Sequence, residues 1–319
     1  MNKIIVLILL WGFYLSCQPT VEIPNTGRKI VINALVATNE PFALNVTKSL
    51  HILDSSIWLA NDTINGAKVY LFHNQDLIDT LTKDEVIFGY PYYNYFQLPA
   101  NFRSLTHTPR TGNYYSILVS SDEYQDAYAT TLIPNRVEIS KMDTNMVVLS
   151  GTFDKCESNI AIMCDVQFKD PLSEKNYYLF YVYRTIDDSY RVPIEFECND
   201  PIIEEALKNG SQKFGVAFGD NSINGKEHRL TLSLKGTNIG KPFLDCSTPP
   251  GNPPHKTSIQ VCLYSITEEY FKYIQTLNLF LKNYKNPLAE PSHVYSNVSG
   301  GYGIFAGAAV SCDSLVFNY

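Results

Sequence analysis

Apolar and polar residues alternate along most of the first half of the chain. "PFALNVTKS", "AKVYLFH" and "NYYSILVSS" each place apolar residues at every second position, and Asn, Gly and Pro stand between these runs. A period of two predicts strands, and the intervening residues predict turns. About seven such strands over roughly a hundred residues predict an antiparallel sandwich of the immunoglobulin or transthyretin type. We assign it to residues 29–134. Its inner face is expected to hold Leu44, Val46, Val69, Leu71, Ile117 and Val119.

After Pro134 the strand pattern restarts with "VEISKMDTNMVVLSGTF" and continues through "IAIMCDVQF", "NYYLFYVYR", "HRLTLSL" and "SIQVCLYSI". A proline and an asparagine at this point favour a boundary. The sequence therefore predicts a second, larger β-rich domain over residues 135–319. The fold class expected for the whole chain is mainly β, with one or two helices in the second domain.

Two segments of the second domain have helical rather than strand character. In "DPIIEEALKNG", Asp200 is expected to cap a helix, Pro201 to occupy its first turn and Gly210 to end it. The longer segment, residues 267–283, predicts an amphipathic helix with Ser265 and Glu268 as a capping box. One face of that helix is expected to carry Tyr270, Ile274, Leu277 and Leu281.

A glycine-rich stretch, "GGYGIFAG", lies near the end of the chain. A phosphate-binding loop would need a lysine or a strand–loop–helix frame, and neither accompanies these glycines. The stretch instead predicts close backbone packing or turn geometry around Tyr302 and Phe305.

The amino terminus, "MNKIIVLILLWGFYLSC", has a basic start and a short apolar run. This pattern predicts a signal peptide over residues 1–16, because the run is shorter than the approximately 20 apolar residues that span a bilayer. Leu15-Ser16-Cys17 is similar to a bacterial lipobox, which makes Cys17 the expected site of lipidation and the lipid the link to the membrane. The alternative is an ordinary cleaved signal peptide with Cys17 discarded or paired. Residues 17–28 are expected to form a tether.

Charge and cysteine content narrow the functional classes. The net charge of −7, without a basic run, argues against a nucleic-acid partner. An even number of cysteines in the second half of an exported chain indicates disulfides and leaves their connectivity open. No Cys-x-x-Cys pair or matching histidines occur, so no metal site is predicted. The candidate disulfide cysteines are Cys156, Cys164, Cys198, Cys246, Cys262 and Cys312.

Enzymatic signatures do not emerge from the sequence. The six histidines are scattered, and no Gly-x-Ser-x-Gly elbow occurs. The sequence therefore predicts a protein without catalytic residues or a cofactor. A hydrolase with two carboxylates that are distant in sequence but close in the fold stays open as a less favoured alternative.

An aromatic cluster, "FGYPYYNYF", offers candidate recognition residues. Tyr90, Tyr92, Tyr93 and Tyr95 cannot all face a core from one strand, and any exposed rings would contact a sugar or a protein partner. The favoured interpretation is an aromatic-rich hairpin buried against the second domain, with partner binding as the alternative. "NYYLFYVYR" also carries rings on both faces, and it is expected to be an inner strand.

Taken in order, several of these pieces resemble a known family. They are "NGAKVYLF", "GNYYSILV", "VQFKDPLSEKNYYLF", "FGDNSINGKEHRLTLSL", "SITEEYFKYIQTL" and "SNVSGGYGIF". The chain resembles the Bacteroidota lipoproteins grouped as domain of unknown function 4249. The resemblance implies an outer-membrane lipoprotein, often encoded beside a TonB-dependent transporter, and it carries over no catalytic residues. Whether the protein faces the cell surface or the periplasm stays open.

The function expected from these observations is non-enzymatic. The protein would be an accessory component that binds a ligand or partner in a TonB-dependent uptake system. The alternative is a structural or assembly component of the cell envelope.

Overall fold

The computed structural model describes residues 27–50, 63–83, 100–150, 159–172, 174–186, 190–208, 215–235, 256–283 and 292–318. Over these residues the chain is mainly β with two helices, which confirms the predicted fold class. The strands are β1 (Ile30–Ala37), β2 (Ala43–Lys48), β3 (Lys68–His73), β4 (Asp76–Thr80), β5 (Thr82–Lys83), β6 (Phe102–Arg103), β7 (Tyr114–Ser120), β8 (Ala127–Leu132), β9 (Ile139–Ser150), β10 (Asn159–Lys169), β11 (Tyr177–Ile186), β12 (Tyr190–Pro193), β13 (Glu197–Cys198), β14 (Gly215–Gly219), β15 (Glu227–Lys235), β16 (Lys256–Ile266) and β17 (Tyr302–Asn318). The helices are α1 (Pro201–Lys208) and α2 (Glu268–Asn283).

The described strands form three sheets. The largest has nine strands in the order β12-β11-β16-β17-β1-β2-β6-β5, with β14 pairing beside β11. Two four-stranded sheets, β4-β3-β7-β8 and β13-β15-β10-β9, complete the set. Each smaller sheet shares a hydrophobic core with a different part of the large sheet.

The first core lies between the β1-β2 part of the large sheet and the β4-β3-β7-β8 sheet. Side chains at alternate positions of these strands point into it, as the period of two requires. All six residues predicted for the inner face are fully buried there, which confirms that prediction. They are Leu44, Val46, Val69, Leu71, Ile117 and Val119.

The last strand, β17, joins the two predicted domains. Its first part runs parallel to β1, in register from Val31 opposite Tyr302 to Ala37 opposite Ala308. Its second part pairs antiparallel with β16. Phe305 of β17 lies in the same core as the first-half strands. The predicted domains 29–134 and 135–319 therefore share one continuous sheet.

The start of the second predicted domain is also attached to this sheet. The backbone N–H of Val137 donates to Ser265 Oγ at 3.1 Å, and that of Ile139 donates to Ser311 Oγ at 3.0 Å. These hydroxyls satisfy main-chain groups that would otherwise need water or a strand partner.

The glycine-rich stretch allows β17 to approach its neighbours closely. Gly303 has a φ of 101°, and a Cβ there would overlap the carbonyl oxygen of Ile32 on β1. A Cβ on Gly307 would overlap the carbonyl oxygen of Leu132 on β8. The prediction of close backbone packing around Tyr302 and Phe305 is therefore confirmed, because only glycine leaves room for these contacts.

The second half has a core on each face of the β11-β16 region. Tyr178 and Phe180 of β11 point into the core shared with the β10-β15 sheet and α1. Tyr177, Tyr181 and Tyr183 point the other way, into the core covered by α2. The prediction that "NYYLFYVYR" is an inner strand is confirmed. No helix in the described part of the chain is long and apolar enough to cross a membrane.

Candidate functional site

Several residues singled out in the sequence lie outside the described ranges. These are Cys17, the aromatic candidates Tyr90, Tyr92, Tyr93 and Tyr95, and the cysteines Cys156 and Cys246. Their assignments remain sequence-based predictions.

The remaining four cysteines divide into a disulfide and two free thiols. Cys262 of β16 is bonded to Cys312, which lies directly opposite on β17. Cys164 and Cys198 are buried free cysteines, which differs from the expectation that they form disulfides. Both lie opposite Leu232, one on each side of β15, so a whole strand separates them. Burial raises the pKa of Cys164 to about 12, so its thiol stays protonated.

A cleft of about 410 Å³ lies between α1 and α2, next to β14. Its volume falls within the range of about 300–1,000 Å³ that holds small ligands. The two helices cover opposite faces of the large sheet, since α1 packs into one core of the second half and α2 into the other. The cleft therefore lies beside β14, which pairs with β11. Its lining includes Lys175, Tyr177, Ile202, Glu205, Ala206, Ala217, Phe218, Gly219, Asn221, Ser222, Glu268, Phe271, Lys272, Gln275 and Asn278.

One wall of the cleft is helix α1. Its start follows the prediction, because the Asp200 carboxylate accepts the Ile202 backbone N–H at 2.9 Å and Pro201 is the first helical residue. Ile203 and Ala206 are its buried residues. Glu205 lies on the exposed side and contributes a carboxylate to the cleft.

The other wall is helix α2, whose start differs from the prediction. Thr267 Oγ1, rather than Ser265, accepts the backbone N–H of Tyr270, at 3.4 Å. Ser265 lies at the end of β16, and its hydroxyl binds Val137 instead. The predicted capping box is therefore wrong by two residues, because the strand continues to Ile266 before the helix begins.

The buried face of α2 also departs from the apolar pattern. Tyr270 and Ile274 are buried as predicted, and the third buried position is Asn278. Leu281, predicted for the same face, is 46% exposed. Asn278 is 4% exposed, lines the cleft, and its Oδ1 has no hydrogen-bond partner among the described residues.

A chain of polar contacts links lining residues on the α2 side of the cleft. Lys272 Nζ is 3.1 Å from a Glu268 carboxylate oxygen, one helical turn away. Hydrogen bonds from Lys272 and then from Tyr177 lower the pKa of the Glu268 carboxyl. The Tyr177 hydroxyl, in turn, raises the pKa of Lys175. Glu268 is therefore held as a carboxylate and both lysines as cations at neutral pH.

Aromatic side chains line the same wall. The rings of Tyr177 and Phe271 lie 4.8 Å apart between centroids, in a tilted arrangement. The Lys175 ammonium lies 5.3 Å from the centroid of Tyr177. The wall therefore offers an apolar ring surface beside a positive charge.

The end of the cleft is formed by a turn that two buried carboxylates hold in place. Asp220 accepts the backbone N–H of Asn176 at 2.8 Å, and its carbonyl accepts those of Ile223 and Asn224. Asp170 accepts the Gly225 N–H at 2.9 Å and the Tyr178 hydroxyl. Asn221 and Ser222, which line the cleft, belong to this turn. These two aspartates are buried for structural reasons.

The arrangement suits binding of a small molecule that has both polar and apolar parts. The sequence did not assign these residues to a site, although most of them occur within "KNYYLF", "FGDNSING" and "SITEEYFKYIQTL". Periodicity could find α2, but the cleft depends on α1 and α2 meeting at β14, which no local pattern encodes.

Comparison with known proteins gives one family. A family model described as Domain of unknown function (DUF4249) matches residues 19–313. No curated protein matches the chain.

Proposed function

The chain belongs to the DUF4249 family, and from this premise we propose that it is a lipid-anchored outer-membrane protein that binds a ligand. It acts as an accessory component of a TonB-dependent uptake system. The anchor is Cys17, behind an apolar run and a small residue. Several acyl chains on this residue, at about 0.8 kcal/mol per buried methylene, hold the protein at the membrane.

The binding role rests on one observation, the cleft between α1 and α2. Its lining combines rings, two lysines, two carboxylates and an amide whose oxygen lacks a partner. Ligand sites have this character, with a few directed polar groups among apolar surface.

Glu268 of the cleft is unsuited to the role of the acid in hydrolysis. A glycosidase needs one carboxyl group with a raised pKa as its acid. The pKa of Glu268 is instead lowered by Lys272 and Tyr177. An ionised carboxylate that is paired with a lysine is poorly suited to proton donation.

Co-purification from solubilised outer membranes tests this proposal. The lipidated protein is captured, and the proteins that accompany it are quantified against capture from cells carrying Cys17→Ala. We expect a TonB-dependent transporter to be enriched with the wild type and lost with the variant. Enrichment of an assembly machine or of cell-wall components in its place would overturn the proposed role and would favour a structural or assembly component of the cell envelope.

A further inference from the structure

Three features of the cleft walls indicate the chemical class of its ligand, an inference that rests on the proposed binding function. The first is Asn278. Its side chain is more than nine-tenths buried, and its Oδ1 faces no donor among the described residues. A buried acceptor without a partner costs about 1–3 kcal/mol, so a ligand that supplies a donor regains this free energy.

Two other asparagine side chains of this protein each form a pair of hydrogen bonds with the main chain of a single residue. Asn101 donates to the carbonyl of Val46 at 2.7 Å and accepts the N–H of Val46 at 2.8 Å. Asn297 makes the same pair of bonds with Phe305, at 2.8 and 3.0 Å. An asparagine side chain matches the N–H and C=O of one residue in both polarity and spacing. Asn278 has the acceptor of such a pair unused.

The second feature is the distribution of charge across the cleft. The α1 wall presents Glu205, which forms no ion pair with the described residues. The α2 wall presents Lys272, with Lys175 beside it, and one carboxylate, Glu268, already paired with Lys272. A ligand with a cationic end toward α1 and an anionic end toward α2 complements both walls.

The third feature is apolar surface between the charges. Phe271 and Tyr177 lie on the α2 side, and Ile202 and Ala206 on the α1 side. They offer a place for an apolar side chain between two charged ends.

We propose that the cleft binds a short peptide with free termini. The ammonium group of the peptide faces Glu205, and its carboxylate faces Lys272 and Lys175. Asn278 hydrogen-bonds a main-chain amide, and an apolar side chain packs on Phe271 and Tyr177.

Calorimetric titration of the purified lipidated protein in detergent micelles tests this inference. The probe is the dipeptide alanyl-leucine, compared with its N-acetyl and C-amide forms and with maltotriose. We expect the free dipeptide to bind with a Kd below about 1 mM, each blocked form to bind at least about tenfold more weakly, and maltotriose to give no binding heat. Absence of binding by the free dipeptide, equal binding of the blocked forms, or binding of maltotriose in its place overturns the proposal.

Variants of the cleft locate the binding. Glu205→Gln is expected to weaken the dipeptide about tenfold, whereas Glu204→Gln, on the same helix outside the cleft, leaves it unchanged. Asn278→Leu is expected to abolish binding without lowering Tm, because it removes a buried acceptor that lacks a partner. A purely structural asparagine would instead lose stability when replaced. Equal effects of the two glutamate variants, or retained binding by Asn278→Leu, contradict the assignment.

These measurements use purified protein and do not depend on its location. If titration fails while the transporter still co-purifies, the peptide assignment is wrong and the proposed function stands. If titration succeeds while no transporter co-purifies, the peptide assignment stands and the proposed role in a TonB-dependent uptake system is wrong.

Discussion

The Asn297 side chain forms two hydrogen bonds with the main chain of Phe305, as a neighbouring strand would. Its Nδ2 donates to the Phe305 carbonyl, and its Oδ1 accepts the Phe305 N–H. On that side of β17, pairing with β16 begins only at Ala308. The amide therefore satisfies main-chain groups at a point where the sheet has an open edge.

Replacing Asn297 with alanine is expected to lower the free energy of unfolding by about 2–4 kcal/mol, because two main-chain groups lose their partner. Chemical denaturation monitored by circular dichroism measures the change. Ser299→Ala is the matched control, since this residue is exposed and uses its backbone in pairing with Tyr128. If Asn297→Ala lowers the free energy of unfolding no more than Ser299→Ala does, the edge of β17 does not depend on the Asn297 amide.

Replacing Gly303 with alanine is expected to destabilise the protein more than its positive φ alone would. The added methyl group overlaps the Ile32 carbonyl, so β1 and β17 must separate. Gly112→Ala provides the comparison, because Gly112 also has a positive φ, of 74°, and its Cβ would meet nothing. We expect a cost of about 1–2 kcal/mol at Gly112 and a larger one at Gly303, measured by denaturation. Equal costs would contradict close packing at this crossing.

Removing the Cys262–Cys312 disulfide is expected to destabilise the fold without changing its structure. The bond closes a loop of sequence separation 50, so its loss frees the unfolded chain and costs about 2–4 kcal/mol. The double variant Cys262→Ala, Cys312→Ala is compared with wild type by thermal unfolding. The Cys164→Ala variant serves as control for loss of a buried sulfur without a disulfide. An unchanged Tm in the double variant would count against a stabilising bond.

Asp165 is expected to contribute stability that disappears in acid. Its carboxylate accepts hydrogen bonds from Arg229 and from Thr231, the latter at 2.6 Å, and these bonds lower its pKa below the ordinary 3.8. The contribution is therefore present above the unfolded pKa and is lost as the pH falls through the lower folded value. Because the pair is exposed, the contribution should stay within about 1 kcal/mol.

Carboxyl titration followed by NMR checks the Asp165 prediction. The wild-type midpoint should lie below 3.8, and Arg229→Met should move it upward. A midpoint unaffected by that substitution would remove Arg229 as the cause.

Alternation in the sequence was enough to place the first core, because in β3 and β7 each buried residue is followed by one that is not buried. Leu71 and Ile117 follow this rule and are fully buried. Glycine spacing was also informative, since the Gly303 and Gly307 positions mark a close approach of backbones.

The remaining features depend on contacts between distant segments. The parallel pairing of Val31 with Tyr302 joins the two ends of the chain, and neither strand's pattern specifies its partner. Asn278 of α2 is buried and Leu281 is exposed. Helical periodicity in the sequence cannot predict this, because it depends on the segments against which the helix packs. The cleft residues come from distant parts of the sequence, so only the tertiary arrangement brings them together.

The proposed location and partner both depend on the lipid anchor at Cys17, and mass spectrometry of the mature amino terminus tests this anchor most directly. Protein isolated from the outer-membrane fraction is expected to begin at Cys17 and to carry acyl groups on that residue, and the Cys17→Ala variant is expected to leave that fraction. A mature amino terminus without acyl groups, or a variant that remains with the outer membrane as the wild type does, would contradict the account.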